Sequence, residues 1–299
     1  MKTQKSASDR IIDIVIIIIY CAYAFICVYP FYYLIINAIS ANNLSEAGSI
    51  LLLPKGIHFS NFINVFKLPG FWHAGFISLA RTVLGTILTV GGASFLGFMF
   101  TQQDMKWRTF WYRFTIVTMY LSAGLIPYYL TMQNLHLTNN FLAYILPGIV
   151  SPFNIILVKT YVESTPKELQ EAATIDGAGT LRIFSSVVLP ICKPILATIA
   201  IFAAVGQWNS FQDTLILMTD SKLTTLQFLL YQYINQANSL ATLIKSSSSS
   251  SVIQNVATMQ TSTSVRMTVT VVVVLPILIV YPIFQRFFVK GIMIGSVKG

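Results

Sequence analysis

A chain of 299 residues with 55% hydrophobic and only 10% charged residues has too little polar surface for a soluble domain, in which about a quarter of residues are charged. Its mean hydropathy of +0.70 and several apolar runs of spanning length imply that most of its surface faces lipid. The net charge of +9 does not mark a nucleic-acid binder, because the basic residues lie between apolar runs and not along one stripe.

Six apolar runs qualify as transmembrane helices: 14–36, 80–100, 114–132, 141–162, 195–218 and 267–287. The chain is therefore expected to be an all-α, polytopic membrane protein. The first run is long and lacks a small-residue cleavage site, so it is expected to stay as a helix and not to be removed as a signal peptide. Lys2, Lys5 and Arg10 precede it. With the N-terminus inside, the inner side also gathers Lys106, Arg108, Arg113, Lys159, Lys167, Arg182, Lys193, Arg286, Lys290 and Lys298, most of the 19 Lys and Arg residues. Lys55, Lys67, Lys222, Lys245 and Arg266 fall outside. The positive-inside rule then places both termini in the cytoplasm. Aromatic groups at Tyr29, Tyr32 and Tyr33, at Phe71 and Trp72, and at Trp107, Phe110, Trp111 and Tyr112 suit the two interfacial belts.

The first outside segment, 40–79, holds Pro54, Gly56, Pro69 and Gly70 and predicts an irregular or partly helical cap. Arg81, just inside the second run, is expected to snorkel or to pair with an acid. Ala93 and Gly97, four apart, predict close helix packing. Cys21, Cys27 and Cys192 are scattered among apolar runs and predict inert thiols. His58, His73 and His136 are isolated and suggest no metal site.

After the fourth run the chain reads Thr165-Pro166-Lys167-Glu168-Leu169-Gln170-Glu171-Ala172-Ala173-Thr174-Ile175-Asp176-Gly177-Ala178-Gly179. Thr165 and Glu168 have capping-box spacing and Pro166 suits a first helical position. Gly177 or Gly179 can end the helix in the left-handed conformation. A polar helix of about three turns follows, too short to span. Ala172 and Ala173 would let a partner approach closely, with Glu168, Glu171 and Asp176 as polar contacts. On local physics alone, a well-capped surface helix is the better reading.

The fifth run is interrupted by Gln207, Trp208, Asn209, Gln212 and Asp213. A charge at the bilayer centre costs about 2.5–3.5 kcal/mol on insertion scales, so Asp213 must face protein or water. Asn209 and Asp213, four apart, share one helical face, as do Trp208 and Gln212. Aromatic faces beside amides suit a sugar pathway; bonding between neighbouring helices answers the burial equally well. The outside segment 219–266 contains the serine run 246–251, and that run is expected to be a flexible, solvated loop. The C-terminus, Lys290-Gly291-Ile292-Met293-Ile294-Gly295-Ser296-Val297-Lys298-Gly299, permits an extended or tightly turned basic tail.

The spacing of Glu171-Ala172-Ala173, Gly177, Val187 and Leu189-Pro190 resembles the signature of permease subunits of type I ABC importers, with Val187 where isoleucine is common. The glycines and Lys298 of the tail resemble the ending of MalG-like carbohydrate permeases. Gly206-Gln207-Trp208-Asn209-Ser210-Phe211, with Thr225-Leu226-Gln227, is similar to their LplC/YtcP-like branch, associated with complex oligosaccharides. The resemblance runs along essentially the whole chain. It implies a MetI-like permease fold: residues 1–74 as N-terminal tail, first helix and first outer loop, 75–290 as the transmembrane domain with a coupling helix near 165–179, and 291–299 as a cytoplasmic tail.

The same resemblance implies an ATP-driven importer of a sugar, expected to be an oligosaccharide, in a bacterial cytoplasmic (inner) membrane. Glu168, Glu171, Ala172, Ala173, Asp176 and Gly177 would meet the ATPase. Gly295, Lys298 and Gly299 would reach toward it, and Trp208, Asn209, Gln212 and Asp213 would line the substrate pathway. The chain would hold no cofactor and catalyse nothing itself; ATP and Mg would bind two partner ATPase subunits. A second permease and an extracytoplasmic solute-binding protein would complete the assembly. Import of an amino acid or phosphate, and an ion-coupled carrier, are the alternatives. A membrane enzyme lacks any paired intramembrane carboxylate, His-Glu-x-x-His or Ser–His arrangement.

Overall fold

The computed structural model describes residues 7–246 and 261–296. Helices and turns make up every regular element among them, with no strand. Two units emerge: residues 1–69 with 232–274, and residues 70–231 with 275–299.

In the first unit, α1 (Ala7–Ala38) is a 32-residue helix. Its spanning window is wholly unburied, as befits side chains that meet lipid. Tyr29 and Tyr32 near its end donate their hydroxyls to the carbonyls of Leu51 and Leu52, at 3.0 and 2.5 Å. The predicted cap contains two short helices, α2 (Asn42–Glu46) and α3 (Ser60–Phe66). Buried amides organise it: Asn37 donates to Tyr33 O and Ile50 O, and Asn61 donates to Ala38 O and Asn42 Oδ1. Each buried amide so satisfied avoids the penalty of a dry, unpaired polar group.

The second unit is built on α4 (Phe71–Met99), 29 residues long, which starts earlier than predicted because Gly70 enters it with φ of 78°. Next come α5 (Arg108–Tyr120) and α6 (Leu125–Asn134). A 3₁₀ turn (Phe141–Tyr144), α7 (Leu146–Ile149) and α8 (Pro152–Glu163) follow. Then come α9 (Glu168–Ile175), α10 (Thr180–Ile183), a π-helical turn (Phe184–Val188), α11 (Leu189–Ile191), α12 (Lys193–Asn209) and α13 (Gln212–Leu217). Two last helices, α14 (Leu226–Ser246) and α15 (Ser262–Ser296), run through both units. α12, α8 and α7 pack on α4.

The six predicted runs do not all emerge as single helices. Among the described residues three helices are long and apolar enough to cross a membrane, and five if each bent pair is one span. The predicted third run is divided into α5 and α6 by residues 121–124, where Gly124 has φ of 83° and Pro127 restarts the helix in its first turn. The predicted fourth run bends by 41° ahead of Pro152, and the segment before α12 turns by 81° ahead of Pro194. Proline tolerates a first turn but not a helix interior, so each break sits where a proline reopens the helix. The predicted fifth run is also broken, at Ser210, whose backbone is extended.

Within the segment 219–266, α14 supplies 21 helical residues. Ser246 ends α14, and the rest of the serine run lies outside the described residues.

Candidate functional site

Two places concentrate polar chemistry. The first is α9. It is two turns long and not three, and the expected capping box does not form. Thr165 follows directly on α8, and its hydroxyl donates back to Val162 O at 2.6 Å, which leaves Lys167 at the N-cap with no side-chain bond. The C-terminal end is as expected: Gly177 has φ of 78°. Its N–H reaches Thr174 O at 3.0 Å and that of Ala178 reaches Ala173 O at 2.9 Å, a Schellman motif. An alanine at 177 would hold the left-handed conformation at a cost of roughly 1–2 kcal/mol. Gly177→Ala is therefore expected to fray α9, seen as faster amide exchange at Gly177 and Ala178 with the spans unchanged.

Glu168, Glu171, Ala172, Asp176 and Gly177 are exposed, and Ile175 at the helix end is 86% exposed. Ala173 departs from the expectation. It packs with Ala178 inward against the core formed by Phe98, Ile155, Val158 and Val188, so only Ala172 offers a small surface outward. Behind α9, Gln102 Nε2 donates to Gln170 Oε1 at 3.3 Å, and Leu169 adjoins Val187 and Val188 of the π turn. Pro190 lacks the N–H that an α-helix needs there, and the widened turn takes up the mismatch. From that turn Phe184 packs on Phe95 and Phe98 of α4, at 5.6 and 5.4 Å between centroids. A push on α9 thus reaches α4 through packed side chains.

The second place is a polar cavity of about 390 Å³ where α4, α7, α8, α12 and α13 meet, beside the breaks at Val150–Ser151 and Ser210. Irregular backbone at membrane depth is tolerated where it lines such a cavity. Arg81, 2% exposed, joins Asp213 at 2.8 Å, so the expected pairing with an acid is observed. Its Nε donates to Gln207 Oε1 at 3.0 Å and its Nη1 to Ser210 O at 3.3 Å. The guanidinium also lies 4.4 Å from the Tyr144 ring centre. Ser210 Oγ donates to the same Asp213 oxygen, Oδ2, at 2.9 Å. Gln207 Nε2 donates to Tyr144 O at 3.2 Å, and Gly85 leaves room for this amide, since a Cβ there would lie 2.8 Å from Nε2.

Of the four residues expected to line a substrate pathway, only Asp213 lies on this cavity. The break at Ser210 ends the shared face: Asn209 and Gln212 are exposed and do not line the cavity. Trp208 lines a separate apolar groove of about 140 Å³ with Leu79, Val205 and Pro276. Gln207 and Asp213 take up the helix-bonding role that the sequence leaves open. Tyr144, Tyr128 and Asn154 carry no sequence signal, because each is one polar residue in an apolar run. Gly291 and Gly295 are helical within α15 and do not form an extended tail. Lys298 and Gly299 lie outside the described residues. Among the described residues no cluster of His, Cys, Asp and Glu could hold a metal.

Comparison with known proteins agrees with this architecture. Residues 93–294, more than half the chain, match the family described as binding-protein-dependent transport system inner membrane component. Protein LplC of Bacillus subtilis (strain 168) is 32% identical over 300 residues, covering 99% of this chain and 98% of LplC. The polygalacturonan/rhamnogalacturonan transport system permease protein YtcP of the same organism is 30% identical, covering 97% and 99%. A crystal structure of a bacterial ABC transporter involved in the import of the acidic polysaccharide alginate contains a chain that superposes with a TM-score of 0.77 at 30% identity. That match covers 96% of this chain and 100% of the other. With its broken apolar helices and its exposed, glycine-ended α9, this chain belongs to the family of binding-protein-dependent transport system inner membrane components.

Proposed function

We propose that the chain is the non-catalytic permease subunit of an ATP-driven importer for an oligosaccharide, lying in a bacterial cytoplasmic membrane with both termini inside. The sugar reading is carried by similarity along nearly the full chain to LplC and YtcP and to the alginate importer. A second permease, two ATPase subunits that bind ATP and Mg, and an extracytoplasmic binding protein complete the transporter. The exposed face of α9, with Glu168, Glu171, Ala172, Asp176 and Gly177, is the surface offered to the ATPase. Closure of the ATPase pair then moves α9, the π turn and α4 together and reorients the spans between two states.

Reversing a charge at such a rim sets like charges against each other, at a cost of several kcal/mol. Glu171→Lys is therefore expected to abolish binding-protein-stimulated uptake in proteoliposomes while membrane insertion stays normal. Uptake at the wild-type rate would remove α9 from the ATPase interface. Import of amino acids or phosphate, with no trisaccharide taken up, would remove the sugar.

A further inference from the structure

The cavity beside the Arg81–Asp213 pair has polar groups that the protein leaves unused. Asn154 is only 8% exposed, yet its amide bonds to no described residue and stays open to the cavity. Among the described residues the Tyr128 and Ser151 hydroxyls likewise have no hydrogen-bond partner, and both line the same space. Asp213 uses Oδ2 for both Arg81 and Ser210, which leaves Oδ1 unpaired on a side chain that is 30% exposed. Open to the cavity, the Asn154 amide and these hydroxyls can exchange water for the hydroxyls of a ligand.

Resting on the sugar-importer reading, we propose that this subunit itself holds one sugar ring of the cargo in this cavity. Asn154, Tyr128 and the free oxygen of Asp213 would bond its hydroxyls, and the exposed Phe202 ring would meet its C–H face. The volume, about 390 Å³, falls in the range of small-ligand pockets, about 300–1,000 Å³. The donors and acceptors are of the kind that hydroxyls match, since an amide and a phenol each both give and accept, and a carboxylate oxygen accepts. Among the described residues Arg81 is the one cation on the wall, and it is 2% exposed and bonded to Gln207, Ser210 and Asp213. It therefore acts as a positioning residue that fixes Asp213. The subsite reads hydroxyls, and any uronate carboxylate on the cargo must be met elsewhere.

The test is retention of tritiated maltotriose, raffinose, arabinotriose and trigalacturonate by the purified complete membrane complex without its binding protein. Uptake of the same sugars into proteoliposomes with the binding protein is measured alongside. For whichever trisaccharide the wild type retains, Asn154→Ala and Tyr128→Phe should each weaken retention by about tenfold, the loss expected when one hydroxyl contact goes. Melting temperatures should not change. Arg81→Lys should weaken retention less than Asn154→Ala. Unchanged retention in both Asn154→Ala and Tyr128→Phe overturns the subsite, and so does a melting temperature that falls in step with retention. Uptake without retention by the wild type also overturns the subsite but keeps the sugar-importer reading. Uptake of no sugar defeats both.

Discussion

Asp213→Ala is expected to destabilise the permease by about 3–5 kcal/mol, because it leaves the Arg81 guanidinium buried without its counter-charge. The burial is one-sided: Arg81 is 2% exposed and Asp213 30%. The reciprocal change, Arg81→Ala, should therefore cost less, since the abandoned carboxylate can turn toward water in the cavity. A paired apolar replacement, Arg81→Met with Asp213→Leu, should be milder than Asp213→Ala alone, because removing both charges also removes the desolvation that each suffers. Heat challenge of the detergent-solubilised complex, scored by the fraction that stays monodisperse, ranks all three, and Arg81→Ala with Asp213→Ala closes the double-mutant cycle. Additive losses would show that the pair is not coupled, and Arg81 would then be held by Gln207 and Ser210 without help from the acid.

The second large effect lies where α4 meets its neighbours. A Cβ on Gly92 would stand 2.5 Å from the carbonyl oxygen of Ile149, and one on Gly97 would stand 2.7 Å from Val158 Cβ. Backbone blocks the first position, so α4 and α7 must separate. Overpacking of this kind typically costs about 1–3 kcal/mol for alanine. Gly92→Leu should abolish recovery of folded protein, and Gly92→Ala should lower it markedly. Gly91→Ala is the control: a Cβ there meets nothing within 4 Å, and recovery should be unchanged. Size-exclusion profiles of the three variants decide the question. In membranes small residues let helices close without a hydrophobic driving force, which is why one methyl group matters here.

How far the sequence is legible differs from element to element. Gly177 is readable because a left-handed helix end has a local signature that glycine alone answers well. Gly97 and Ala93 are readable from their spacing, whereas Gly92 carries no such signal because its contact, Ile149 O, lies in a bent segment that periodicity does not mark. The capping box at Thr165 misleads, since its hydroxyl has a nearer acceptor in the turn just completed. Helical periodicity places the four expected substrate-pathway residues, and periodicity fails across a break. Extended Ser210 breaks the helix, and of the residues around it Asn209 and Gln212 do not line the cavity that Asp213 lines. The cavity itself is not legible, because Arg81, Tyr144, Asn154 and Asp213 come from four separate helical segments. No local pattern joins them.

The Arg81–Asp213 pair also constrains how the chain is made. The two residues are 132 positions apart, so at about 5–20 residues per second Asp213 is synthesised roughly 7–26 s after Arg81. Through that interval α4 carries its cation without the acid that it finally pairs with. Until then Arg81 must stay at a membrane interface or in the aqueous path of the insertion machinery, and final seating of α4 waits for α12 and α13. The second span is therefore written early and locked late.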